Sequence, residues 1–217
     1  MIIMAENNYY INGDTVIFND GVKTIEYDDL HIVDKPVERS KFEIAMKVLS
    51  PNSNIKAGLE DIKNVILSSG VTSIGDKAFE WCKSFESITI PDSVTSIGER
   101  AFRHCSFEDI TIPDSVTNIG KDAFAFCENL EHITIPNSVT SISDYTFRGC
   151  THLKSITIPD SVINIGKDVF NFCGNLTIKC NKGSYAEEYA KVRNIPVEYL
   201  EDKPSRKSNK KDNIERE

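Results

Sequence analysis

The sequence predicts a repeat solenoid, mixed α/β to mostly β, in which short coils stack around one apolar axis. The strings ITIPDSVTSIG (88–98), ITIPDSVTNIG (110–120), ITIPNSVTSIS (133–143) and ITIPDSVINIG (156–166) recur, preceded by the looser VILSSGVTSIG (65–75). Single columns hold the phase. Val71, Val94, Val116, Val139 and Val162 lie 23, 22, 23 and 23 residues apart, and Phe79, Phe102, Phe124, Phe147 and Phe170 keep the same intervals. Self-similarity at a fixed period of this length marks a stack of supersecondary units.

Within one coil, Ile88, Thr89 and Ile90 alternate as a short strand does, isoleucines inward and threonine outward. Pro91 ends the strand. Val94 and Ile97 turn inward, Gly98 permits the bend, and Ala101, Phe102 and Cys105 return at one-turn spacing, which predicts a short helical turn on the third side. Phe107 opens the inward side of the next strand. The one 22-residue interval is a loop shortening, because Cys82 precedes Phe85 by three positions but Cys105 precedes Phe107 by two. A lone coil buries too little to offset the entropy of ordering it, so the five coils must fold as one unit.

The pattern xxIxIPxSVxxIGxxAFxxCxxL, held over roughly residues 65–178, resembles the BspA-like, or Treponema-type, leucine-rich repeat. The resemblance implies a curved right-handed coil stack with a parallel sheet on one side. It also implies a family associated with cell-surface adhesion and protein binding, and it carries no catalytic residues.

Terminal coils need polar-faced caps. At the C-terminus, residues 181–200 form one. Ser184 and Glu187 make a capping box, Tyr185, Ala186, Tyr189 and Val192 give a helix its apolar stripe, Asn194 and Pro196 stop it, and 197–200 return as a strand. Residues 1–62 are read as the N-terminal cap. Tyr9 to Ile11 and Thr15 to Phe18 flank Asn12-Gly13, a hairpin signal. VIFNDGVKTI (16–25) is a degenerate repeat start. Val22 to Val71 spans 49 residues, two coils and a little more, which would put 42–49 in a variant coil or short helix. The repeats occupy 63–180, and the mixed-charge, apolar-poor residues 201–217 read as a disordered tail.

The chain has 217 residues, 40% of them apolar and 27% charged, with a formal net charge of −8. The charges are mixed throughout and form no basic stripe, which argues against nucleic acid as a partner. The first residues lack a signal peptide, and no apolar run approaches a membrane span. The N-terminus therefore points to the cytoplasm, whereas the resemblance points to the cell surface or secretion. A monomer is expected.

Cys82, Cys105, Cys127, Cys150 and Cys173 recur once per coil at one inward position. Repetition explains them as buried reduced thiols, spaced too widely for the ~3.8 Å Cβ separation of a disulfide. Cys180 lies outside the column and is the most exposed to chemistry of the six. His31, His104, His132 and His152 share no metal-ligand spacing, and no Gly-rich phosphate loop accompanies them. No cofactor, metal or catalytic residue is expected.

Two outward columns are the candidate partner-binding residues. One is a hydroxyl-rich strip on the sheet: Ser87, Thr89, Asp109, Thr111, His132, Thr134, Ser155 and Thr157. Threonine also suits exposed strands for reasons unrelated to binding. The other is the residue before each core cysteine: Trp81, His104, Phe126, Gly149 and Phe172. Its aromatic members either anchor a partner or tuck against the adjacent coil's turn. The leading reading is a non-catalytic protein-binding scaffold for adhesion or partner recognition. The alternative is an intracellular regulatory or effector scaffold, and an enzyme using the N-terminal segment is a distant third.

Overall fold

A computed structural model describes residues 63–200 apart from 68 and 70, together with the backbone of four short N-terminal strands. Each coil has three sides. The first carries the IxIP strands and their equivalents: β3 (Thr15–Phe18), β5 (Asn64–Ile66), β7 (Ser87–Thr89), β10 (His132–Thr134), β12 (Ser155–Thr157) and β14 (Thr177–Cys180), closed by β15 (Val197–Tyr199). The second carries β4 (Thr24–Ile25), β6 (Ser73–Ile74), β8 (Ser96–Ile97), β9 (Asn118–Ile119), β11 (Ser141–Ile142) and β13 (Asn164–Ile165). Where neighbours on these two sides pair, they pair in parallel, and each repeat residue faces its own copy: Val65 opposite Ile88, Ile133 opposite Ile156, Ile142 opposite Ile165.

The inward columns are continuous. Phe79, Phe102, Phe124, Phe147 and Phe170 stack nearly parallel with ring centroids 5.4, 5.3, 5.5 and 5.9 Å apart. The valine, isoleucine and cysteine columns lie beside them in one core. The serine of each SV pair has a fixed task. Ser93, Ser115, Ser138 and Ser161 donate through Oγ to the carbonyls of Val71, Val94, Val116 and Val139 in the preceding coil at 2.5–2.9 Å. The prolines close the strand in a turn, Val94 N–H bonding Pro91 O at 3.0 Å and its copies likewise.

The helical turns expected on the third side take the form of a string of i→i−3 turns, such as Ala78 to Gly75, Glu80 to Lys77 and Cys82 to Phe79. Two residues of each turn string are left-handed: Lys77 and Trp81, Arg100 and His104, Asp122 and Phe126, Tyr145 and Gly149, Asp168 and Phe172. This backbone sends every second amide along the stack. Lys77, Phe79 and Trp81 donate to the carbonyls of Glu99, Ala101 and Arg103 in the next coil at 2.7–2.8 Å, and later coils repeat the scheme. Gains of this kind offset the ~1–2 kcal/mol cost of a left-handed non-glycine residue.

Both ladders are interrupted once, and each break has a residue behind it. On the first side, residues 109–111 form no strand and meet β10 only through an isolated bridge from Asp109 to His132. This is the rung just after the one-residue shortening. On the second side β9 and β11 do not pair. There Ser143 stands where the other coils have Gly75, Gly98, Gly120 and Gly166. A Cβ at Gly120 would lie 2.6 Å from the Glu99 nitrogen and the Gly98 carbonyl carbon, so a side chain is accommodated only where the coils part. Ser143 Oγ then donates to Ile119 O at 2.6 Å, replacing the amide bond that Gly98, Gly120 and Gly166 make to Ile74, Ile97 and Ile142.

At the N-terminus β2 (Tyr9–Asn12) pairs antiparallel with β3, with Asn12 inside the strand opposite Thr15, and β1 (Ile3–Met4) adds to β2. β3 and β4 lie directly beside β5 and β6, Val16 opposite Val65 and Ile25 opposite Ile74. The interval of 49 residues therefore separates adjacent rungs, which corrects the two-coil reading of it. Residues 42–49 and 201–217, for which a variant coil or helix and a disordered tail are expected, lie outside the described residues.

At the C-terminus helix α1 (Tyr185–Arg193) begins at Ser184, whose Oγ accepts from Glu187 N at 3.2 Å, and ends at left-handed Asn194. The Glu187 carboxylate accepts from Gly183 N, Tyr199 Oη and Lys191 Nζ, each at 2.6 Å. Lys191 first, then Tyr199 and the Gly183 amide, draw its pKa down to about 2. The buried face of α1 is Ala186, Glu187 and Ala190, with Tyr189 partly covered. Val192 is 74% exposed and Tyr185 also faces solvent, so the apolar stripe expected from those two residues is narrower than the sequence implies.

Candidate functional site

The left-handed backbone at Trp81, His104, Phe126 and Phe172 swings each side chain off the core axis, because the flanking turn residues already point inward. The rings do not stand alone. Trp81 stacks on His104 with centroids 3.6 Å apart, and His104 on Phe126 at 4.8 Å. The members of the column thus tuck against one another along the stack, and its two end rings are the more open. Trp81 and Phe172 are 45% and 62% exposed, while His104 and Phe126 are half-buried between neighbours.

Gly149 leaves the column without a ring, and the gap is filled from both sides. A Cβ there would meet Phe126 Cδ1 at 2.5 Å, so the Phe126 ring lies over the glycine. The Arg148 guanidinium sits 5.8 Å from the Phe126 centroid, 5.6 Å from Tyr145 and 5.7 Å from Phe172, bridging the coils by cation–π contact. At the other end Lys83 lies 5.3 Å over Trp81. Arg103 contacts Phe126 at 5.3 Å and pairs with buried Glu80 at 3.0 Å. The outcome is one continuous ridge of rings and cations over five coils. Composition hid it, because the chain is acidic as a whole.

Burial, then the Arg103 and Lys83 charges, lower the His104 pKa to about 4. The ring is neutral at physiological pH and stacks without opposing its cationic neighbours. The unfolded imidazole titrates near 6.5. Between the two values the unfolded chain binds more protons, so this contribution to stability is whole above pH 6.5 and is lost as pH falls toward 4. His104→Phe keeps the stack and removes the titration. Its Tm is expected to fall less than the wild type's between pH 7 and 4.5, and equal falls would contradict this account.

The sheet strip is laid out differently. Ser87, Thr89, Asp109, Thr111, His132 and Thr134 are exposed, and Ser155 and Thr157 half-buried. Several of these polar groups satisfy one another along the stack. Ser87 Oγ donates to Asn64 Oδ1 at 2.7 Å, His132 Nδ1 meets Ser155 Oγ at 2.9 Å, and Glu131 pairs with Lys154 at 2.6 Å. Where the short coil interrupts the strip, a cleft of about 820 Å³ opens beside Lys63, Glu86, Ser87, Glu108 and Asp109.

All six cysteines are free thiols. Their column has a structural use that spacing alone does not reveal. Cys105, Cys127, Cys150 and Cys173 donate through Sγ to the carbonyls of Phe79, Phe102, Phe124 and Phe147 at 3.1–3.2 Å. Burial pushes the Cys127 thiol up to about 12 and Cys173 to about 11. Cys180 is also buried, and burial raises its pKa as well, the reverse of what an activated thiolate requires. Among the described residues no group of three His, Cys, Asp or Glu is placed to hold a metal ion, and no helix is long and apolar enough to cross a membrane.

The model of the BspA type leucine-rich repeat region matches residues 53–177 in six copies. The chain belongs to this family. Its fold is that of solved bacterial leucine-rich-repeat proteins. The Treponema pallidum leucine-rich repeat protein is 24% identical with a TM-score of 0.58, over 92% of this chain and 98% of that one. A leucine-rich repeat protein from Eubacterium ventriosum is 24% identical with a TM-score of 0.60, over 80% of this chain and 41% of that one. The pneumococcal vaccine antigen PcpA is 20% identical with a TM-score of 0.53, over 84% of this chain and 50% of that one. The chain thus spans about two fifths of the Eubacterium protein and half of PcpA. No curated protein matches it.

Proposed function

We propose that this repeat scaffold is a non-catalytic protein-binding module whose contact surface is the ridge of rings and cations on the turn side. The observation that carries the reading is the unbroken series Lys83, Trp81, His104, Phe126, Arg148, Phe172, which crosses five coils with its outer rings open to solvent. Exposed aromatics and arginines in line are the usual anchors of an interface. The sheet strip is a weaker candidate, since several of its polar groups are already paired with one another. The chemistry fits a partner surface that presents apolar side chains flanked by carboxylates.

Adhesion is the role this surface suits when the chain is displayed outside the cell, and the name of PcpA as a vaccine antigen favours display. A cytosolic assembly scaffold would use the same ridge. The test is a capture experiment from the source organism and its surroundings, comparing the wild type with Trp81→Ser/Phe126→Ser. Partners held by the wild type should be depleted at least tenfold on the double variant, with Tm lowered only modestly. Identical capture by both proteins would remove the ridge from consideration.

A further inference from the structure

The C-terminal cap closes two of the solenoid's three sides. β15 pairs with β14 on the first side, Ile178 opposite Val197, and α1 packs on β13 and β14. The turn side has no such closure. In every earlier coil three alternate amides donate to the next: Arg100, Phe102 and His104 to Lys121, Ala123 and Ala125; Tyr145, Phe147 and Gly149 to Lys167, Val169 and Asn171. The equivalent amides of the last coil belong to Asp168, Phe170 and Phe172. Among the described residues none of the three meets an acceptor.

These donors border a cavity of about 390 Å³, whose other walls include Tyr189, Arg193 and Ile195 from the cap. Left-handed Asp168 and Phe172 hold the backbone in the conformation that, in the coils before, aims all three amides the same way. We propose that this open edge binds a peptide segment of a partner protein in the turned conformation of residues 166–174, laid alongside residues 168–172 and offering main-chain carbonyls at alternate positions.

Three features select that occupant. Alternate donors spread over five residues match a peptide main chain, whereas a small anion is held by successive amides of one concave nest. The required partner geometry is already displayed one coil earlier, where residues 167, 169 and 171 supply the carbonyls. Tyr189 packs edge-on against Phe170 at 6.0 Å, so the core beyond that ring is already covered and the segment joins through its main chain, as in strand addition to a sheet edge. Phe172, 62% exposed because no later ring covers it, offers a flanking apolar contact. The site shares Phe172 with the aromatic ridge, but its amide donors do not depend on the rings of Trp81, His104 and Phe126.

The test uses the full chain, labelled for amide NMR, and a synthetic peptide of residues 166–174 carrying Cys173→Ser, the segment that fills this same edge on the coil before. The peptide should shift the Asp168, Phe170 and Phe172 amides and slow their hydrogen exchange at least tenfold. A Cβ on Gly174, which also lines the cavity, would meet nothing within 4 Å, so Gly174→Trp should fold with unchanged Tm and lose the response. Trp81→Ser/Phe126→Ser should keep it. The proposal is overturned by absent shifts at millimolar peptide, by shifts that persist in Gly174→Trp, or by exchange at the three amides already as slow as at Tyr145, Phe147 and Gly149. Shifts that move with protein concentration alone would make the occupant a second copy, and would overturn it too.

Discussion

Replacing Phe124 by alanine is expected to lower the unfolding free energy by about 3–5 kcal/mol. Phe124 is fully buried, stacks on Phe102 and Phe147 at 5.3 and 5.5 Å, and meets Phe107 edge-on at 6.5 Å. The cost should sit at the upper end because the site resists collapse. Phe124 N–H bonds Thr146 O at 2.9 Å and Cys150 Sγ bonds Phe124 O at 3.2 Å, so the coils on either side are held at fixed spacing while the ring between them is removed. Equilibrium denaturation measures the loss. A value below about 1.5 kcal/mol, the range of a methylene-sized truncation, would mean that the stack closes over the gap and that the ladders are softer than their bond lengths imply.

Gly120→Ala should rank second, at about 1–3 kcal/mol or more, for one added methyl group. The new carbon would fall 2.6–2.7 Å from Glu99 N and from the Gly98 carbonyl, all main-chain atoms with no rotamer through which to yield. The only relief is separation of the two coils, at the expense of Gly120 N–H to Ile97 O at 2.8 Å and the pairing of β8 with β9. Ser143 supplies the internal comparison. The coil that carries it has already lost the equivalent pairing, and Thr146 has replaced the column's alanine there, with Oγ1 donating to Ser143 O at 2.8 Å. Ser143→Ala, which removes only the bond to Ile119 O, should cost about 1 kcal/mol. Thermal denaturation of the two variants in parallel decides the point, and equal costs would sink the close-approach argument.

The stacked architecture was legible because inward positions are spelled out by residue type: Val94, Ile97, Phe102 and Cys105 and their copies are what an apolar axis requires. The capped helix was legible for a similar reason, since Ser184 and Asn194 act through bonds to their immediate neighbours. The turn side was not. Spacing of Ala101, Phe102 and Cys105 fits a helix turn, and nothing in a tryptophan or histidine announces a left-handed backbone. Gly149, Asp122 and Asp168, which adopt that conformation more readily than other residues, were the available signal. The ridge was half-visible for the same reason. Its rings stood in one column, whereas Arg148 and Lys83, which complete it, come from columns of mixed charge. The N-terminal rung was misplaced because arithmetic on residue spacing assumes that every intervening residue belongs to a coil, and pairing of Val16 with Val65 shows that it need not.

The turn-side bonds run one way, from each coil to the one after it, and every joint between consecutive coils presents the same donors to the same acceptors. Excising or duplicating a whole 23-residue period away from the short coil and from Ser143 therefore leaves chemically equivalent surfaces to be rejoined. Overall length becomes a quantity that gene duplication can adjust in steps, without redesigning either terminus.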